Sequence, residues 1–168
     1  MEEIETLRAN GDEIWHYVCC VPRKQEYINR FMDIPLLCTR YLFWGNHKYR
    51  LSGYLHWTVN DYQSDIDPFL ESCPRHVNAG SESILPPGDD KRLYPGENFK
   101  PYISMRFENH RESAEEYAML AMIAEHDPAL ADEICDSVFH SFHSVEYDAD
   151  KFEATRRKLI REYERLYK

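Results

Sequence analysis

The chain has 168 residues and a formal net charge of −10, enough length for one domain with a real core. The acidic balance excludes a polyanion binder, which needs a basic face to displace counterions, and argues equally against docking on anionic membranes. No stretch approaches ~20 consecutive apolar residues, so no segment is expected to span a bilayer.

Taken in order, Met1–Asn10 reads as the tail of a helix with Ile4 and Leu7 on one side and Gly11 as its stop, which suggests an element in front of it. Residues 1–12 are therefore assigned to a preceding helix, and residues 13–168 to the rest of the domain. Glu13–Val21 reads as a buried strand between Gly11 and Pro22, and Arg23–Met32 as a connection or a short helical turn. From Pro35 to about Lys48 the period is helical, with Leu37, Tyr41 and Trp44 recurring and Gly45–Asn46 loosening the end. Leu51–Asn60, LSGYLHWTVN, alternates like a strand and ends in aromatic, imidazole, hydroxyl and amide groups. Strand, helix, strand is a βαβ unit, which implies parallel pairing.

Residues 61–101 are rich in Asp, Pro, Gly, Ser and Asn and read as one long loop, of a kind that is usually functional or disordered. A third strand is expected at Tyr102–Phe107, and everything from about Asn109 onward is expected to be helical. Ala114, Tyr117, Ala118, Ala121 and Ala124 make an apolar stripe on the first of these helices. Asp127–Pro128 breaks it and starts another, carrying Leu130, Ile134 and Val138. Asp148 or Asp150 caps the last, with Phe152, Leu159, Tyr163 and Leu166 turned inward.

The chemistry-bearing residues concentrate at the tip of the second strand and in the loop. His56, Trp57 and Asn60 suit a sugar, because a Trp face stacks on ring C–H groups while Asn and His fix hydroxyls; packing against helices is the competing role. Tyr94, in Tyr-Pro-Gly, is a lid residue over a cleft or a loop anchor. Asp65, Asp67, Asp89 and Asp90 could orient hydroxyls, although loop aspartates more often form turns. Arg106 could reach the pocket, or Arg106, Glu108, Arg111 and Glu112 could knit strand to helix. His140 and His143, three apart on an expected helix, lack a third ligand, and Cys19–Cys20 reads as core. There is no phosphate loop, GxSxG elbow or HExxH, so no metal or cofactor is expected. Five cysteines without zinc-like spacing, and an acidic start without an apolar signal segment, point to reduced thiols and a cytoplasmic protein.

Four blocks in register, EIWHYVCCVP, LSGYLHWTVN, LPPGDDKRLYPG and ISMRFENHRESAEEYAML, resemble the domain-of-unknown-function family 4091, which corresponds to the catalytic barrel of glycoside hydrolase family 123. The resemblance implies an α/β fold, the C-terminal part of a (β/α)8 barrel with about three parallel strands, followed by C-terminal helices. It implies a carbohydrate substrate, an N-acetylhexosaminide cleaved with retention by the substrate's own acetamido group, as in β-N-acetylgalactosaminidases. Relatives tend to read Arg-Glu-Gly-x-Glu-Asp-Tyr where this chain has Arg111-Glu112-Ser113-Ala114-Glu115-Glu116-Tyr117. The family's Asp-Glu pair finds no counterpart here, since Asp12-Glu13 precedes its strand and Asp132-Glu133 sits in a helix. The expected substrate-binding set is therefore His56, Trp57, Asn60, Asp67, Tyr94 and Arg106 with no catalytic residue, the acid/base pair coming from a missing N-terminal barrel portion or a second chain. A non-catalytic glycan-binding or self-associating remnant is the alternative. Catalysis within the chain through Asp65, Asp67 or Glu97 is a third reading.

Overall fold

The computed structural model describes residues 2–24, 27–78 and 80–168. Helix α1 (Glu2–Ala9) buries no side chain and is tied down by Arg8, whose Nη2 donates to the carbonyls of Tyr49 at 2.9 Å and Arg50 at 3.2 Å. Strand β1 (Trp15–Tyr17) then lies parallel to β2 (Gly53–Leu55), with His16 opposite Tyr54. The expected βαβ unit is present with much shorter strands. β1 is also not buried as expected: Trp15 and Tyr17 are about half exposed, because period-2 alternation turns only His16 toward the helices and the outer face of the pair has no cover.

The crossover between them is helical, as α2 (Leu37–Arg40) and α3 (Leu42–Tyr49) meeting at Tyr41. Tyr41, Leu42 and Trp44 are fully buried. Gly45 does not loosen this helix. It lets the Phe142 ring approach so closely that a Cβ there would lie 2.5 Å from it, and α3 runs on to a left-handed Arg50 at φ 51°.

The segment expected as one loop contains three short strands, two paired with each other and one with the start of the expected third strand. β3 (Arg75–Asn78) pairs with β4 (Ser81–Ile84), and β5 (Leu93–Tyr94) with β6 (Tyr102–Ile103). This corrects the expectation of about three parallel strands. Among the described residues only β1 and β2 are parallel, because the third strand stops at Ile103 and folds back on Leu93. Ser104 ends it, its side chain accepting from the Phe107 amide to cap α4 (Met105–Ala124).

Helix α4 turns a different face inward from the one its alanines suggest. Arg106, His110, Ser113, Glu116, Leu120 and Ile123 are buried, whereas Ala118 is exposed and Ala114, Tyr117, Ala121 and Ala124 are only half covered. The reason is polar pairing. Glu116, 1 % exposed, accepts from Arg40 Nε at 2.9 Å and Nη2 at 2.6 Å, Trp44 Nε1 at 2.9 Å and Arg156 Nε at 3.0 Å. The Ser113 hydroxyl donates to the Arg40 carbonyl and accepts from the Phe43 amide. A saturated acidic side chain outcompetes a weak alanine stripe for the interior.

Asp127 caps α5 (Pro128–Asp136) and Asp148 caps α6 (Ala149–Tyr167). Between them lies a short hairpin, β7 (Phe139–Ser141) and β8 (Ser144–Val145), where continuous helix was expected, so His140 and His143 do not share a helical face. Phe139 is an aromatic bridge to Tyr41, Tyr49 and Phe142, and burying it is what interrupts the helical run. The core joins these rings to Trp44, Leu120, Ile123, Ile134, Phe152 and Leu159. No helix among the described residues is long and apolar enough to cross a membrane.

Candidate functional site

The C-terminal ends of β1 and β2 open into a cavity of about 400 Å³ lined by Tyr17, Cys19, Cys20, Trp57, His76 and Asp89. This is the end of a parallel sheet where α/β proteins place ligands. Asp89, fully buried, organises it: its Oδ1 accepts from His56 Nε2 at 3.1 Å and its Oδ2 from Trp57 Nε1 at 3.0 Å. The Trp57 ring stacks near His56, makes an edge contact with His76, and keeps 37 % of its surface open. A carboxylate thus aims an indole into a cleft.

The clamp is held from behind by arginines. Fully buried Arg30 donates from Nη2 to the carbonyls of Thr58 and Asp89, each at 2.7 Å, and to His56 Nδ1. The Thr58 amide also donates to His56 Nδ1. Two donors on Nδ1 and an acceptor at Nε2 assign the neutral tautomer with its proton on Nε2. Burial agrees, pulling the His56 pKa down to about 4 against the pull of Asp89. Arg30 itself reaches this position from an irregular segment pinned by buried Asn29, whose Nδ2 donates to the Cys19 and Pro22 carbonyls. Burial, then neighbouring Arg92, lowers Arg30 to about 9, and burial lowers Arg92 to about 10.

The six residues expected to bind substrate do not converge. His56 and Trp57 meet at Asp89. Asn60 and Tyr94 line a separate depression of about 350 Å³ with Tyr62, Phe99 and Lys100. Tyr94 also meets the Phe69 ring at a tilt, centroids 5.2 Å apart, and points its hydroxyl at Met32 Sδ, 3.9 Å away. Asp67 lies in a third depression and forms a turn, its Oδ1 accepting from the Phe69 amide at 2.8 Å. Asp65 shares that depression, and Glu97 starts a 3-10 turn. Arg106 is buried, giving Nη1 to the carbonyls of Arg30 at 2.8 Å and Gly88 at 2.7 Å, and Nη2 to Lys91 at 2.7 Å. Its guanidinium is spent on the carbonyls of the Arg30 segment and the loop, not on a glutamate pair between strand and helix. Gly88, at φ +75°, leaves room for it, since a Cβ there would come within 2.6 Å of the guanidinium.

Asp89, weighed as a hydroxyl-orienting or turn residue but left out of the expected substrate-binding set, and Arg30, not singled out at all, are what reading the sequence missed. Asp89 sits in a Gly-Asp-Asp run indistinguishable from a turn, and Arg30 in a segment without period. The adjacent Asp90 pairs with Lys91 at 2.8 Å, both buried. Neither Asp-Glu pair approaches the cavity: Asp12-Glu13 is exposed before β1, and Asp132 and Glu133 face His47 and Lys158 across the helices. Among the described residues no group of three or more His, Cys, Asp or Glu could hold a metal ion.

Two buried neutral histidines make stability depend on pH. Burial lowers His16, like His56, to about 4. Between the unfolded value near 6.5 and the folded value the unfolded chain binds more protons, so stability falls as pH drops through that window. Each histidine contributes at most ~1.4 kcal/mol per pH unit. Urea midpoints should fall between pH 6.5 and 4.5, with a shallower fall in His16→Gln. An identical slope in that variant would count against a buried neutral His16.

The model of the glycoside hydrolase 123 catalytic domain matches residues 1–123. Among solved structures, 13 chains match. One is a family 123 glycoside hydrolase from Clostridium perfringens, studied for glycolipid glycan hydrolysis, which superposes with a TM-score of 0.61 at 16 % identity. The superposition covers 96 % of this chain and 28 % of that one, so the present sequence spans little more than a quarter of that structure. At this identity the likeness shows the fold. No curated protein matches the chain.

Proposed function

The chain belongs to the glycoside hydrolase 123 family through its catalytic domain, and we propose that it forms one wall of a pocket for an N-acetylhexosaminide, with β-N-acetylgalactosaminides as the preferred class. The observation that carries this reading is the Asp89 clamp, which holds the Trp57 indole at the mouth of a cavity at the C-terminal end of the parallel strands. An aromatic face fixed in that way suits the apolar face of a sugar ring. Asp67, Asn60 and Tyr94 lie in flanking depressions and would touch only further units of a glycan.

The wall is not sufficient for hydrolysis. Asp89 has both oxygens engaged and is fully buried, and no second carboxylate lines the cavity among the described residues. Glycoside hydrolysis needs a group to protonate the leaving oxygen and another to stabilise or attack the anomeric carbon. In the proposed mechanism the substrate acetamido group is the nucleophile, and an Asp-Glu pair from other polypeptide completes the site. The β1–β2 pair and its helical crossover support placing the chain in a (β/α)8 barrel. Half-exposed Trp15, Tyr17 and Leu55 on the short strands are apolar surface that such a barrel, or association of copies, would cover.

The test is calorimetric titration of the chain with methyl β-N-acetylgalactosaminide, beside a hydrolysis assay on a chromogenic β-N-acetylgalactosaminide. Saturable binding without hydrolysis is expected, weakened about tenfold in Trp57→Ala, which corresponds to ~1.4 kcal/mol of lost stacking. Equal affinity of Trp57→Ala would remove Trp57 from the site. Hydrolysis by the isolated chain would reinstate Asp65, Asp67 or Glu97 as catalytic candidates.

A further inference from the structure

We propose that Cys19 and Cys20 form a two-thiol site, on the wall of this cleft, for a trivalent arsenical or an equivalent soft centre that takes two sulfurs. All five cysteines are free thiols. Cys38 and Cys135 are buried, and Cys73 has the Ser72 hydroxyl 3.7 Å from its sulfur. Cys19 and Cys20 are both partly open, their sulfurs lie 3.9 Å apart, and both face the cavity that Trp57 lines. The turn presenting them is anchored, with Asn29 Nδ2 donating to the Cys19 carbonyl at 3.0 Å and Arg23 Nε to the Cys20 carbonyl at 2.9 Å.

Geometry favours a chelated centre over a disulfide. Neighbouring Cα atoms across a trans peptide are ~3.8 Å apart, short of the ~4.4 Å at which disulfides begin to fit. A bond forced across that span is strained and easily reduced, which leaves the pair as a dithiol. An atom placed between the sulfurs removes the restriction. Burial and the nearby Cys19 raise the Cys20 thiol above its ordinary value, which further slows thiolate-driven exchange. With an arsenoxide the step balances without electron transfer. Two As–S bonds form, the As–O double bond breaks, and the oxygen leaves as water carrying both thiol protons while arsenic stays trivalent.

The adduct would stand beside Trp57 and fill the cleft, and its effect on glycans rests on the pocket proposed above. The experiment is titration of the full chain with phenylarsine oxide, read by intact mass and tryptophan emission. One adduct per chain is expected, resistant to excess glutathione, removed by dimercaptopropanol, and accompanied by a change in emission. Cys19→Ser and Cys20→Ser should each abolish the glutathione-resistant adduct, and Cys73→Ser should retain it. Where a serine variant loses its native circular dichroism, the alanine variant at that position replaces it. An adduct that glutathione strips from the parent, or one that persists in the double Cys19→Ser, Cys20→Ser variant, would overturn the site. The two proposals fail separately. A missing adduct overturns the dithiol site whatever the glycan result, while an adduct on a chain that binds no N-acetylgalactosaminide keeps the site and overturns the glycan pocket.

Discussion

Glu116→Ala is expected to destabilise the chain by about 3–5 kcal/mol, the range for removing one partner of a buried ion pair. That is a large share of the ~5–15 kcal/mol that holds a typical domain together. The carboxylate accepts from Arg40, Trp44 and Arg156 at once, so its loss strands the buried Trp44 N–H and takes two bonds from the buried Arg40 guanidinium and one from half-buried Arg156. Glu112 also pairs with Arg40 at 2.5 Å, but it is one-third exposed, and the Trp44 indole donates to Glu116. Glu116→Gln keeps the shape and should cost less. The decisive comparison is the urea midpoint of Glu116→Ala alone and with Arg40→Ala. Removing both partners should recover part of the loss, and a purely additive double variant would show that the ion pair is not its source.

Asp89→Asn should cost about 1–3 kcal/mol, the penalty for leaving a buried donor unsatisfied, and abolish glycan binding by untying Trp57. The substitution is nearly isosteric, but its amide presents N–H groups to one of two donors that both need an acceptor, His56 Nε2 and Trp57 Nε1. It also removes negative charge beside two buried arginines, Arg30 and Arg106. Near-ultraviolet circular dichroism, reporting the indole environment, and the urea midpoint would be measured together. A midpoint within ~0.5 kcal/mol of the parent, with unchanged tryptophan signals, would reduce Asp89 to a turn residue. Asp67→Asn is the natural control, since Asp67 sits exposed and accepts a single local amide bond.

What could be read along the chain was local. The helix from Leu37 to Tyr49, the break at Asp127–Pro128 and the Asp148 cap follow from spacing and capping chemistry, which act over a turn or two. Strand lengths could not be read the same way. LSGYLHWTVN alternates over ten residues, yet only Gly53–Leu55 pairs with β1, and Asn60 makes an isolated antiparallel bridge to Lys91, because a strand extends only as far as its neighbour supplies a ladder. Tyr102–Ile103 likewise took its direction from Leu93–Tyr94, a partner that turn-rich sequence concealed.

By itself, then, the sequence determined the family, through four aromatic and charged blocks in register, together with the βαβ order and the acidic net charge. Tertiary structure alone decided which polar groups met. Arg30 and His56 are 26 residues apart, and Arg40 and Glu116 are 76 apart. No short-range pattern encodes such pairs, because an ionisable side chain enters the interior only where a distant partner offsets its desolvation. That requirement turned α4 onto its charged face instead of its alanines, and made Asp89 the support of Trp57.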